Sequence, residues 1–291
     1  MKTTTHHIVL LIIVSLVAFF LFSFTNKNKQ VEKLTNHELI NKIFEAIDNV
    51  KTLRYNLQCN ERIKGKMIHT ESKVKLQVSP RKLYLYIKGI EVLWIQNWNN
   101  GFALVNPNAF PYIDLALDTY GSIMRKDQHH TIHEMGFHYM SEIVKDGMKK
   151  VGGESKIDKY FSVFGEENFE GRPCYKIALT YPDFAWVPYT VKKGDNITFI
   201  ARHLHVSEYM VLERNPQCSN YTDVKPGQVI QVPNAYSKLT LLLIDKEYFL
   251  PVNNKVFDDR GLFETYDYHN LQVNPEISPE EFTKNYKEYH F

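Results

Sequence analysis

The sequence is short of several things that would settle a function quickly. Only three cysteines occur among 291 residues, Cys59, Cys174 and Cys218, far apart and without a CxxC pair. That excludes a disulfide framework and a thiolate metal cluster. A single Cys59–Cys174 bridge stays open for an exported protein, beside two buried thiols. Charge of one sign is lacking too, with 35 Lys and Arg against 33 Asp and Glu, so there is no electrostatic footprint for nucleic acid. No GxSxG, P-loop or GxGxxG is present. His133-Glu-Met-Gly-Phe-His138 evokes a zinc-protease helix, but its histidines are five apart. On a helix they would point about 140° away from each other. His129 and His133 would share a face, with no third ligand evident. We expect His129, His130, His133, Glu134 and His138 to be a solvated or locally hydrogen-bonded cluster, with no metal and no cofactor. Asp258 and Asp259 adjoin in an expected hairpin turn, where aspartate serves the backbone.

Long apolar runs are absent except for one. Residues 8–24 are interrupted only by Ser15 and Ser23. That length is at the lower edge of a membrane span and also fits a long signal-peptide core. Residues 1–26 are therefore expected to be a signal peptide or an N-terminal membrane anchor. No cysteine follows, which excludes a lipoprotein anchor. Lys27, Lys29 and Lys33 follow instead and, by positive-inside counting, favour retention inside.

Aromatics are plentiful, with 18 Phe, 18 Tyr and 3 Trp, and favour β-structure. A capping box at Thr35 and Glu38 opens an amphipathic helix over 36–50, with Leu39, Ile40, Ile43, Phe44 and Ile47 at helical spacing. The period then changes to two. Leu53, Tyr55, Leu57 and Cys59 alternate with polar residues, as do Val74, Leu76, Val78 and then Leu83, Leu85, Ile87. Asn99-Asn100-Gly101 is a hairpin turn between two further strands. Residues 127–150 are expected to be helical, with Ile132, Phe137, Met140, Ile143 and Val144 as the apolar set. Strands resume at 160–164 and 175–181, then at 239–244, 255–258 and 263–268. Ser278-Pro279-Glu280-Glu281 starts a short helix with proline at its first position. The whole is an α+β chain built on an antiparallel meander.

The strand pattern is interrupted between 189 and 233. Tyr189-Thr-Val-Lys-Lys-Gly-Asp195 is a short strand and turn, and Asp195 or Asn196 caps a helix with Ile197, Ile200, Ala201 and Leu204 as its buried stripe. Ser207 caps a second helix, which Asn215-Pro216 stops. Pro226-Gly227 turns the chain into Val229-Ile-Gln-Val232, which pairs back on the first strand. Such a βααβ unit has adjacent ends and fits into a loop of a host domain.

These residues closely resemble the LysM module: Tyr-Thr-Val-Lys-Lys-Gly-Asp, Ile-Ala in the first helix, Val-Ser opening the second, Asn-Pro closing it, and Lys-Pro-Gly-Gln-x-Ile-x-Val-Pro at the end. Asn196 departs from the Thr or Ser usual after Gly-Asp. The resemblance implies binding of N-acetylglucosamine-containing glycans such as peptidoglycan or chitin in a shallow groove between two loops. By position these are Gly194, Asp195, Asn196, Ile197 and Thr222, Asp223, Val224, Lys225. Tyr221 either stacks on a sugar or packs on the host. A single module binds weakly unless tethering raises the effective concentration. Asn196-Ile-Thr198 and Asn220-Tyr-Thr222 are glycosylation sequons only in a eukaryotic secretory context.

The flanks, 34–188 and 234–291, read as one discontinuous β-domain. Its C-terminal hairpins resemble the LolA/LolB-like lipoprotein-carrier superfamily. With Ile132-His-Glu-Met-Gly136, they more narrowly resemble an envelope family of unknown function within it. That resemblance implies a curved antiparallel half-barrel plugged by helices, whose concave face holds acyl chains or a filled aromatic core. The expectation is a non-catalytic bacterial cell-envelope protein, exported and anchored in the inner membrane if residues 8–24 are retained. Its expected partners are peptidoglycan, the membrane through the N-terminal segment, and acyl chains if the β-domain is hollow.

Overall fold

The computed structural model describes residues 34–110 and 112–291; the leader or anchor expected over 1–26 lies outside them. Among the described residues no helix is long and apolar enough to cross a membrane.

Helix α1 (Asn36–Asp48) buries Leu39, Ile40, Ile43 and Ile47, the stripe set by their three- and four-residue spacing. Six strands follow: β1 (Thr52–Ile63), β2 (Lys66–Gln77), β3 (Lys82–Ile87), β4 (Ile90–Ile95), β5 (Ala103–Asn106) and β6 (Leu115–Leu117). Next come helices α2 (His138–Lys150) and α3 (Ile157–Tyr160), then β7 (Phe161–Phe169) and β8 (Arg172–Thr180). After the interruption the chain returns through β11 (Leu239–Asp245), β12 (Pro251–Asp258) and β13 (Gly261–Val273). These eleven strands form one sheet in the order β6-β5-β4-β3-β2-β1-β13-β12-β11-β8-β7, with antiparallel neighbours throughout. The sheet is curved and unclosed, and the fold is α+β.

Alternation sets the buried face. Leu53, Tyr55, Leu57 and Cys59 are inward on β1, and the next member of that series is Glu61, also buried. On β13 the register places Tyr268 opposite Leu57, Tyr266 opposite Cys59 and Glu264 opposite Glu61. The C-terminal tail crosses the outside of β3 in a short 3-10 turn (Pro279–Phe282) with a Ser278–Glu281 capping box. Arg54 and Lys75 both reach Glu281 there.

Two expectations change, the helix over 127–137 and the role of Asp258, and the alternatives for the cysteines resolve. The segment 127–137 is not α-helical: a 3-10 turn (Ile132–Glu134), closed by a Thr131–Glu134 capping box, precedes α2. Gly136 then takes φ +88°, where a Cβ would meet the Leu76 side chain at 2.8 Å, so the chain must leave the helical path to lie on the sheet. The histidines at 129, 130 and 133 are thus not on a helix face, and His129 is buried rather than solvated. Asp258 is likewise more than a turn residue: it is buried against Arg62. All three cysteines are free. Cys59 on β1 and Cys174 on β8 are four interstrand steps apart along the sheet. At about 4.8 Å per step that exceeds the roughly 7 Å limit between bridged Cα atoms.

Candidate functional site: two loops and a hollow sheet

Residues between β8 and β11 form a separate two-stranded sheet, β9 (Trp186–Thr190) with β10 (Val229–Pro233), and two helices, α4 (Ile197–Leu204) and α5 (Glu208–Arg214). Asn196 caps α4 by accepting from the Phe199 N–H at 2.8 Å, and Ser207 caps α5 by accepting from the Met210 N–H at 3.3 Å. Val191, Ile197, Ile200, Ala201, Val206, Val211, Cys218, Ile230 and Val232 fill the core between them. The ends meet, since the Ala185 N–H donates to the Asn234 side chain and the Asn234 N–H to the Ala185 carbonyl, each at 3.0 Å.

The two loops are brought together. The Ile197 N–H donates to the Tyr221 carbonyl at 2.8 Å, tying the first loop to the second. Asp195 accepts from the Tyr189 hydroxyl and the Lys192 N–H, which holds the first loop shut on its own strand. In the second loop Asp223 accepts from the Ser219 N–H and hydroxyl, bonds that hold its carboxyl below the usual carboxylate range. Thr222 donates to Asn220, and the Lys225 N–H donates to Gln228. Gly194, Thr222 and Lys225 are exposed, Asp195, Asn196, Asp223 and Val224 half-buried. Ile197 is fully buried in the core, so only its backbone borders the loops.

Sequence reading did not find how firmly the unit is seated. Buried Glu208 on α5 accepts from Arg125 of the β-domain and from Arg202 at 2.8 Å. Arg202 also binds Glu134 at 2.5 Å. Arg125 donates to Thr198 at 2.9 Å and stacks over the Tyr221 ring at 3.9 Å, so Tyr221 packs on the host. Met210 is buried with Tyr236, Val256 and Phe263 of the β-domain. The Tyr209 hydroxyl accepts from the Lys64 N–H at 2.8 Å.

Beneath this seat the sheet and α2 enclose a cavity of about 540 Å³. Leu57, Leu85, Ile87, Val92 and Ile143 supply apolar wall, and Tyr55, Tyr139, Tyr160, Tyr236, Tyr266 and Tyr268 line it as well. Many aromatics thus line a cavity, while Phe137, Phe161, Phe263 and Phe282 fill solid core. Its exposed lining residues are Ile123, at 69% exposure, with Lys88, Lys126 and Asp127.

One wall is polar. His130 Nδ1 lies 2.7 Å from Glu134, and its Nε2 lies 3.1 Å from the Tyr236 hydroxyl and 3.4 Å from Glu264. Glu264 also meets His129 at 2.7 Å and accepts from Tyr236 at 2.8 Å. Burial pushes His130 down, but Glu264 and Glu134 outweigh it and hold it well above the ordinary imidazole range. Burial pushes Glu264 and Glu134 up, and the neighbouring histidines, with Arg202 beside Glu134, leave both below theirs. His133 goes the other way, to about 4, through burial and the nearby Arg202 and Arg81. The histidine cluster is hydrogen-bonded as expected, locally through Glu134, and also to groups distant in the chain: Arg62 on β1, Glu264 on β13, Tyr236 and Thr119.

Residues 189–233 match the LysM domain family, and residues 50–187 match a family described as a protein of unknown function, DUF1571. No curated protein matches the sequence. Solved structures similar to this chain include lipoprotein LppX of Mycobacterium tuberculosis, at 10% identity over 84% of this chain and 99% of that one, TM-score 0.39. LprF from Mycobacterium bovis is 8% identical over 84% and 95%, TM-score 0.36. A LolA superfamily protein from Nitrosomonas europaea is 10% identical over 87% and 100%, TM-score 0.32. With the family match, two capped helices between paired strands and a closed core of its own, the segment 189–233 is a LysM module.

Proposed function

We propose that this is a non-catalytic cell-envelope protein that binds peptidoglycan, or another N-acetylglucosamine polymer, through one LysM module. The observation that carries the reading is the module itself, with its two loops tied edge to edge at Ile197 and Tyr221. Gly194, Asp195, Asn196, Thr222, Asp223, Val224 and Lys225, with the Ile197 backbone, border the groove. The host in this reading is a discontinuous domain, 34–188 and 234–291, and residues 1–26 direct export or anchor the chain at the membrane. Docking through Glu208 and Met210 fixes the groove relative to the host, so binding presents the whole β-domain to the wall in one orientation.

Co-sedimentation of the full chain with purified peptidoglycan tests it. The wild type is expected in the pellet. Thr222→Trp, which fills the groove from an exposed position, is expected to stay in the supernatant with its fold intact. Equal pelleting of both proteins would remove the loops from the account.

A second reading has its own support. The cavity and its apolar wall of Leu57, Leu85, Ile87, Val92 and Ile143 suit an acyl chain, with the LysM module localising a carrier. Mass spectrometry of solvent extracts from the purified protein is expected to show acyl chains. Their absence across preparations would leave glycan binding alone.

A further inference from the structure

An acyl chain does not explain the polar wall of the cavity. Glu61 and Glu264 sit directly opposite each other on β1 and β13. They are 6% and 1% exposed. Like charges at a directly opposed cross-strand position repel, and burial removes the water that would screen them. Glu264 has His129 at 2.7 Å and His130 at 3.4 Å beside it. Glu61 accepts only from the Tyr266 hydroxyl, at 2.5 Å, and among the described residues no lysine, arginine or histidine pairs with it. The nearby guanidinium groups are engaged elsewhere, Arg202 with Glu134 and Glu208, Arg125 with Glu208, Arg62 with Asp258. Glu61 therefore has no cationic partner of its own among the described residues.

The third group is set up as a ligand. His130 directs Nδ1 to Glu134 at 2.7 Å, which turns Nε2 towards the two carboxylates. A carboxylate behind the far nitrogen is the usual means of orienting a metal-binding imidazole. Glu134 is itself held by Arg202 and by the Thr131 N–H. One donor atom from each of Glu61, His130 and Glu264 lies within 4.8 Å of the others. The separation of 3.4 Å between His130 Nε2 and Glu264 is already that between two ligands of a tetrahedral ion with bonds of about 2.1 Å.

We propose that His130, Glu61 and Glu264 form a divalent metal site of the zinc class, with its remaining position open to the cavity. One imidazole and two carboxylates suit a borderline ion better than a hard one. The ion takes the place of the proton on His130 Nε2 and gives Glu61 a positive partner. Its open position takes an oxygen donor, either water or the anionic end of a cavity ligand. The site lies on the host sheet and does not depend on the glycan reading.

The test is calorimetric titration of the metal-free full chain with Zn²⁺, together with the visible spectrum of the Co²⁺ form. One tight equivalent is expected, with the spectrum of a four-coordinate ion bound by nitrogen and oxygen. Glu61→Gln, which keeps an acceptor for Tyr266, is expected to weaken Zn²⁺ binding by at least about tenfold, and Glu134→Gln by about tenfold through loss of orientation. His130→Gln should abolish the tight equivalent. If a variant does not fold, the wild-type Co²⁺ spectrum still decides. A thiolate charge-transfer band would mean that a cysteine such as Cys59 is a ligand and would overturn this set. So would tight binding unchanged in both Glu61→Gln and His130→Gln, or no uptake at micromolar Zn²⁺.

Discussion

The LysM module and the β-domain solve opposite packing problems. The module closes its core within 45 residues: Ile197, Ile200, Ala201, Val211 and Ile230 interdigitate, and both helices carry side-chain caps. The β-domain gathers its buried face from strands far apart in the chain and leaves a cavity of about 540 Å³ with charged groups on one wall. A closed core of short-range contacts makes a rigid platform for surface loops, whereas a hollow one makes an interior site. The difference teaches where each region offers a site, on the outside of the module and on the inside of its host.

The joint between them gives the largest expected effect. Glu208→Ala removes the carboxylate that Arg125 and Arg202 share; buried Arg125 is left without one, while half-buried Arg202 keeps Glu134. Breaking a buried pair in this way costs about 3–5 kcal/mol. Chemical denaturation followed by fluorescence and circular dichroism is expected to show that loss. A loss under about 1 kcal/mol would mean that the Glu208 ion pairs do not hold module and host together.

The contrast between filled and hollow cores comes next. Ile200→Ala in the module empties a closed site and is expected to cost about 4 kcal/mol, whereas Leu57→Ala on the cavity wall enlarges an existing void and is expected to cost about 2 kcal/mol. Equal losses in matched urea melts would mean that the cavity collapses in solution. A smaller effect belongs to the cap: Asn196→Ala removes the acceptor of the Phe199 N–H and should cost about 1 kcal/mol.

The last is pH-dependent and confined to the host. Burial pushes Glu281 up, but hydrogen bonds from Arg54 and Lys75 outweigh it and bring it to about 2. Because the folded value lies below the unfolded one, the contribution is complete above the ordinary carboxylate range and fades as pH falls towards 2. In Glu281→Gln that part of the acid dependence is expected to vanish, seen as a flatter melting-temperature profile below pH 4.5.

The same contrast explains what was legible in the sequence. Both module caps, the turn at Gly194 and the stop at Asn215-Pro216 are local signals, so the unit could be read from adjacent residues. The host strands were legible as alternation, but the site they build was not. Glu61 continues the inward series Leu53, Tyr55, Leu57, Cys59, and that parity was the available signal. Its meeting with Glu264 depends on β13 returning beside β1, which no local pattern encodes. The segment around His130 looked helical because Ile132 and Phe137 are buried and apolar, yet Gly136 bends it onto Leu76. Arg125 and Glu208 were hidden for the same reason, as partners supplied by different parts of the fold.

The central claim is that the module's two loops bind the glycan. Its most direct test is amide chemical-shift mapping of the folded chain during titration with a soluble N-acetylglucosamine oligomer. Shifts concentrated at 194–197 and 222–225, saturating with the oligomer and lost in Thr222→Trp, are predicted. Shifts centred on the cavity residues around Tyr266, or none in either loop, would contradict it.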